Sequence, residues 1–120
     1  MVNIQTQADQ IHFIVKGIHK FFAFKNKITV SKKNLVNVKY DPEAVKGVWK
    51  GIRVLGTYVP GVIRAGTYSQ AKKLYFWDVV RPQKTIIVEL TNSTYEKLII
   101  EVADPIEARA QIEQYIQESR

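Results

Sequence analysis

His12 and His19 are the only imidazoles in the chain, and they limit the acid–base and metal chemistry it can offer. Neither has a second histidine or a carboxylate at metal-ligand spacing. Both are expected to be surface residues, His12 outward on a strand and His19 in a Gly17-Ile18-His19-Lys20 turn. Asp78 follows Leu74-Tyr75-Phe76-Trp77. A carboxylate among aromatics can carry a raised pKa and act as an acid. With Tyr75 it would line the pocket of an enzyme or a small-molecule carrier. The bulky inward residues argue against such a cavity, and the plainer expectation is a strand-end carboxylate pairing with Arg81. There is no cysteine, hence no thiol nucleophile, no disulfide and no thiolate-ligated zinc. Serines and threonines lie in turns, without a Gly-x-Ser-x-Gly elbow. Gly51, Gly56, Gly61 and Gly66 recur every five residues, but they match neither a phosphate loop nor the dinucleotide fingerprint. They read as points of twist, bulging and close approach in a curved sheet. The expectation is a non-enzymatic protein with no catalytic residues, no cofactor and no metal.

The chemistry that remains is binding. His19-Lys20-Phe21-Phe22-Ala23-Phe24-Lys25-Asn26-Lys27 interleaves aromatics with cations. Such a segment can stack bases of single-stranded nucleic acid or sit at a lipid interface beside anionic headgroups. It also reads as an ordinary barrel strand with a charged turn, since alternation divides Phe22 and Phe24 from Phe21 and Ala23. Lys32 and Lys33 extend the basic rim. Lys20, Lys25, Lys27, Lys32 and Lys33 are therefore the candidate surface for an anionic partner. The net charge of +7 resides in the first half: residues 1–60 hold ten Lys/Arg against three Asp/Glu, and residues 61–120 hold eight of each. Asymmetry of this kind marks a surface for anionic partners or a solvated face that keeps the protein soluble. Trp49, if exposed, would favour a binding or assembly surface.

These residues need a scaffold, and the patterns supply a β-rich one. Ile11, Phe13 and Val15 alternate with His12 and Ile14 as in a half-buried strand. Phe21–Lys25 and Ile28–Val30 form a hairpin around Asn26, and Leu35–Tyr40 is another strand. Asp41-Pro42-Glu43 starts a helical turn with an acid cap and proline first. Ile52–Tyr58 and Val62–Tyr68 flank Pro60-Gly61, where proline pre-sets φ and glycine accepts the positive φ of a type II turn. Leu74–Val79, Thr85–Leu90 and Glu96–Val102 complete the strands. Ile86, Val88, Leu90, Leu98, Ile100 and Val102 point inward; Glu89, Lys97 and Glu101 point outward. Asp104-Pro105-Ile106-Glu107 opens a helix with a capping-box start. Its stripe Ala108, Ile112, Tyr115 and Ile116 docks on an apolar layer, closing the open end of a barrel or sandwich.

One domain of 120 residues is expected, long enough for a core of its own. The first ten residues are polar and carry no signal-peptide pattern. No run reaches the roughly 18 apolar residues of a membrane span. A cytoplasmic location is expected.

The chain resembles the small bacterial pleckstrin-homology-like (PH-like) domain proteins. The resemblance rests on Lys16-Gly17 followed by the Phe21–Phe24 strand, on Gly56-Thr57-Tyr58-Val59-Pro60-Gly61, and on Ala65-Gly66-Thr67-Tyr68. Phe76-Trp77-Asp78, the Tyr95–Val102 strand and the Asp104-Pro105 helix start complete it, from about Gln10 to Gln117. It implies a strongly bent antiparallel β-barrel of about seven strands capped by the C-terminal helix. It also implies no catalytic centre, binding of lipids, peptides or proteins, and ring-like homo-oligomers. The phosphoinositide-binding turn of the eukaryotic relatives carries a spaced lysine–arginine pattern. Here that turn offers only Lys25 and Lys27, so this specificity does not carry over. The helix has Tyr115 where those relatives place a core tryptophan. The functional expectation is a binding or self-assembly module of unassigned role. An edge strand and the hairpin bearing Tyr58, Pro60, Gly61 and Tyr68 would contact a protein partner or a second copy. The basic half would face an acidic partner or an anionic membrane. The alternative is a small-barrel nucleic-acid-binding protein using the face between Lys16 and Arg53, with steep salt dependence.

Overall fold

The described residues form nine short strands in two sheets. The structure, a computed structural model, describes residues 1–17, 26–46, 52–59, 63–70 and 72–118, with 46, 52–59, 63 and 64 described by backbone alone. The three-stranded sheet has the order β1 (Val2–Thr6), β2 (Gln10–Val15), β3 (Lys27–Ser31), antiparallel throughout. A 3-10 turn at Lys32–Asn34 then carries the chain directly from β3 into β4 (Leu35–Lys39), the corner between the sheets.

The second sheet has six strands. Its order is β4, β8 (Thr85–Leu90), β9 (Lys97–Glu101), β7 (Lys73–Val79), β6 (Ile63–Gln70) and β5 (Ile52–Val59). The mainly β class, the pairing of β5 with β6 and the C-terminal helix agree with the sequence reading. Gly56 and Gly66 stand opposite each other, and Gly66 has φ +125°, a conformation that L side chains rarely adopt. The register shifts between Arg53 and Leu55, at Val54 and not at one of the glycines where bulging is expected.

Two features differ from the expectation. The strand β1 is not anticipated by the sequence pattern, because its five residues carry only Val2 and Ile4 as apolar signals. And the sheet is not antiparallel throughout: β7 and β9 are parallel. After β7 the chain crosses the sheet end through Pro82–Lys84 and lays β8 two places away; the tight return at Thr91–Glu96 then inserts β9 into the gap. Since β8 runs against β7 and β9 runs against β8, β9 must run with β7.

The core lies between the sheets. Phe13, Ile11 and Val30 of the small sheet meet Phe76, Ile86, Val88, Leu98 and Ile100 of the large one. The C-terminal helix (Pro105–Gln117) closes this core with the four residues of the expected stripe, Ala108, Ile112, Tyr115 and Ile116. The Asp104 carboxylate accepts from the Glu107 N–H at 3.1 Å and Pro105 fills the first helical position, as the capping pattern requires. The opposite face of the large sheet holds a smaller cluster of Tyr68, Trp77, Val79 and Ile99 with Val45 of the short helix Pro42–Lys46.

Candidate functional site

The three candidate lysines among the described residues, Lys27, Lys32 and Lys33, do not form one face. Lys27 begins β3 and Lys32 follows its end, so some 16 Å of strand separates them at about 3.3 Å per residue. Lys20, Lys25, His19, Phe21, Phe22 and Phe24 lie outside the described residues, as do Trp49, Pro60 and Gly61.

At the first end, the β2–β3 ladder closes with the Val15 N–H donating to the Asn26 carbonyl at 3.0 Å. The Lys16 N–H donates to the Met1 carbonyl at 2.8 Å, which ties β2 to β1. Gly17 then turns away with φ +66°. Lys16 and Lys27 are both exposed and line one shallow groove with Ile14, Val15, Gly17 and Asn26. Neither makes an ion pair among the described residues. Two uncompensated ammonium groups thus share one end of the hairpin.

The other end is different. Lys32 Nζ lies 4.4 Å from the Tyr115 ring centroid and 3.9 Å from Glu118 Oε2. Its side chain is only 15% exposed, so its charge is engaged with the C-terminal helix. Tyr115 is itself anchored, its hydroxyl donating to the Gln7 carbonyl at 2.7 Å. Burial pushes the phenol above its usual pKa, and Asp9 and Glu118 add to this. Lys33 is exposed and shares an open groove of about 650 Å³ with Asp9, Ser31, Lys32, Leu35 and Ile116. Three lysines beyond β3 are also compensated: Lys39 and Lys97 reach Glu89 at 3.3 and 3.9 Å, and Lys73 reaches Glu96 at 3.6 Å.

Tyr68 is buried, edge-on to Trp77 with ring centroids 6.5 Å apart, and so is not the surface contact expected of it. Its position on β6 faces the small cluster. Tyr58 lies in β5 opposite Arg64. Asp78 does not pair with Arg81. It is fully buried and accepts from the Met1 ammonium at 3.0 Å. Arg81 instead reaches Glu101, with Nε to Oε2 at 2.7 Å, and the Val80 N–H donates to Oε1 at 3.3 Å. Alternation points Glu101 outward to solvent; it does leave the main core, but the 80–81 bend covers it and leaves 1% exposed. Strand alternation gives the face of a residue and not what lies over that face. His12 Nδ1 lies 2.8 Å from the Thr29 hydroxyl across β2 and β3.

Comparison with models of protein families, with curated proteins and with solved structures finds no match to this chain. Among the described residues, no helix is long and apolar enough to cross a membrane.

Proposed function

We propose that the protein is a non-enzymatic binding module that meets an anionic membrane surface through the Lys16–Lys27 end of the β2–β3 hairpin. The observation that carries this reading is the pair of exposed, uncompensated lysines lining one groove at that end. The sequence between them adds Lys20, Lys25 and three phenylalanines, the composition suited to a charged and partly apolar lipid interface. Kinship with PH-like modules is part of the same reading. Two sheets and a closing C-terminal helix support it, and the parallel β7–β9 pair departs from an all-antiparallel barrel. The binding reading rests on the lysines and stands without the kinship.

Sedimentation with lipid vesicles tests it. Binding is expected to vesicles containing phosphatidylserine and not to phosphatidylcholine alone, and to weaken as salt screens the surface. No binding to the anionic vesicles at low salt would overturn the proposal. Tighter binding to a single-stranded oligonucleotide, with a steep salt slope, would favour the nucleic-acid alternative instead.

A further inference from the structure

Among the described residues the three-stranded sheet has two open edges, and β1 is one of them. The hydrogen-bond phase of this edge follows from the ladder. Lys16 N–H donates to Met1 and Gln7 N–H donates to Gln10, and these pairs share the β1–β2 register, Asn3 with Ile14 and Gln5 with His12. In an antiparallel pair, bonded and non-bonded positions alternate. Met1, Asn3, Gln5 and Gln7 therefore bond to β2, and Val2, Ile4 and Thr6 direct their N–H and C=O groups away from it. Val2 is buried, Ile4 is half-buried and Thr6 is exposed, so the accessible part of the edge is Ile4–Thr6.

This edge differs from the others. Four strands are terminal in the two sheets among the described residues: β1, β3, β4 and β5. Lys27, Lys39 and Arg53 place a charge on β3, β4 and β5, whereas Val2–Thr6 has none. Charges on an edge strand discourage pairing with another chain. The strand β1 lacks that protection, and a groove of about 340 Å³ runs beside it. Residues from both faces of β1, Asn3 and Gln5 as well as Val2 and Ile4, line one wall, so the groove follows the edge itself. Asp104, Glu107 and Gln111 of the C-terminal helix and its cap line the other. Among the described residues no lysine or arginine lines it, although the chain carries a net charge of +7. The Asp104 carboxylate caps the helix, and Glu107 is exposed with no ion pair among the described residues.

We propose that this edge and groove receive a short basic segment of a partner protein, added in extended form as a further strand beside β1. Main-chain bonds at Ile4 and Thr6 would hold the segment. A lysine or arginine reaching Glu107 would select it over neutral or acidic segments. The acidic wall is the argument for a basic partner over a second copy of β1, which offers no charge to meet it.

The test is amide exchange and chemical-shift titration of the labelled full chain with a blocked peptide of alternating valine and lysine. Its valine–glutamate counterpart is the control. The lysine peptide is expected to slow exchange at Ile4 and Thr6 about tenfold, and the glutamate peptide to leave it unchanged. Glu107→Lys should invert that preference. Thr6→Pro removes an N–H that the β1–β2 ladder does not use, and should abolish the effect with the far-ultraviolet spectrum intact. Should Thr6→Pro fail to fold, the Glu107→Lys inversion alone decides. Equal protection by both peptides, or protection by neither, overturns the proposal. So does protection of Ile4 and Thr6 that rises with protein concentration in the absence of peptide, which would assign the edge to a second copy. The vesicle experiment does not involve β1 pairing, so either reading can fail without the other.

Discussion

Strand β3 has a lysine at each end, and the two ends are in opposite electrostatic states. Lys27, with Lys16, is exposed and makes no ion pair among the described residues. Lys32 lies over the Tyr115 ring and beside Glu118. The sequence around Lys32-Lys33 is as basic as that around Lys25–Lys27, yet at one end Lys16 and Lys27 hold charge available to a partner, and at the other Lys32 fastens the C-terminal helix while Lys33 stays exposed. Composition counts cations; only their neighbours decide which of them are free.

This contrast can be broken most sharply at the first end. Lys16→Ala combined with Lys27→Ala removes about 1 kcal/mol of attraction per lysine to an anionic membrane, about 2 kcal/mol in all or roughly a 30-fold loss of affinity. Thermal stability should not change, since neither side chain makes an ion pair or hydrogen bond among the described residues. Vesicle sedimentation beside a thermal melt separates the two effects.

At the second end the signs exchange. Tyr115→Phe deletes the hydroxyl that bonds to Gln7, a loss of about 1 kcal/mol in stability, seen in denaturant unfolding. The same variant should change the alkaline limb. In the folded protein the phenol ionises above its ordinary value of 10.0. Its contribution is therefore complete below that pH and is lost as pH rises through the higher folded value. The Tyr115→Phe variant should lack that part of the decline. Lys32→Ala should cost about 0.5–1 kcal/mol in stability, because it removes the ring contact and a partly exposed ion pair. Its effect on vesicle binding should be smaller than that of Lys27→Ala alone. Lys33→Ala is the smallest, within about 0.5 kcal/mol of the parent in unfolding. If Lys33→Ala weakened vesicle binding as much as Lys27→Ala, the division between the ends would be wrong.

Much of the scaffold was legible in the chain. Period-2 alternation placed β2, β8 and β9 and named the residues they turn to the main core, but it did not show that β9 is covered on its other face as well, where Ile99 and Glu101 are buried. The capping residues Asp104, Pro105 and Glu107 placed the helix start, and the stripe Ala108, Ile112, Tyr115 and Ile116 named its buried face. Those signals are local, and local chemistry fixes them. The strand β1 escapes such a reading because Val2 and Ile4 give too short an alternation to stand out from a polar segment. Of the candidate site, Lys27 and Lys33 proved exposed, Lys32 did not remain free, and Tyr68 went inward.

What the sequence determined by itself was the material: a β-rich chain without thiols, a helix that caps it, and an excess of cations in the first half. The tertiary structure decided the pairing. It joined Asp78 to the Met1 ammonium and Glu101 to Arg81, across separations of 77 and 20 residues. It also set β9 parallel to β7 and left the edge of β1 open beside two carboxylates. Partners of this kind are set by where strands come to lie in space, and a short-range pattern of hydrophobicity or charge carries no record of that.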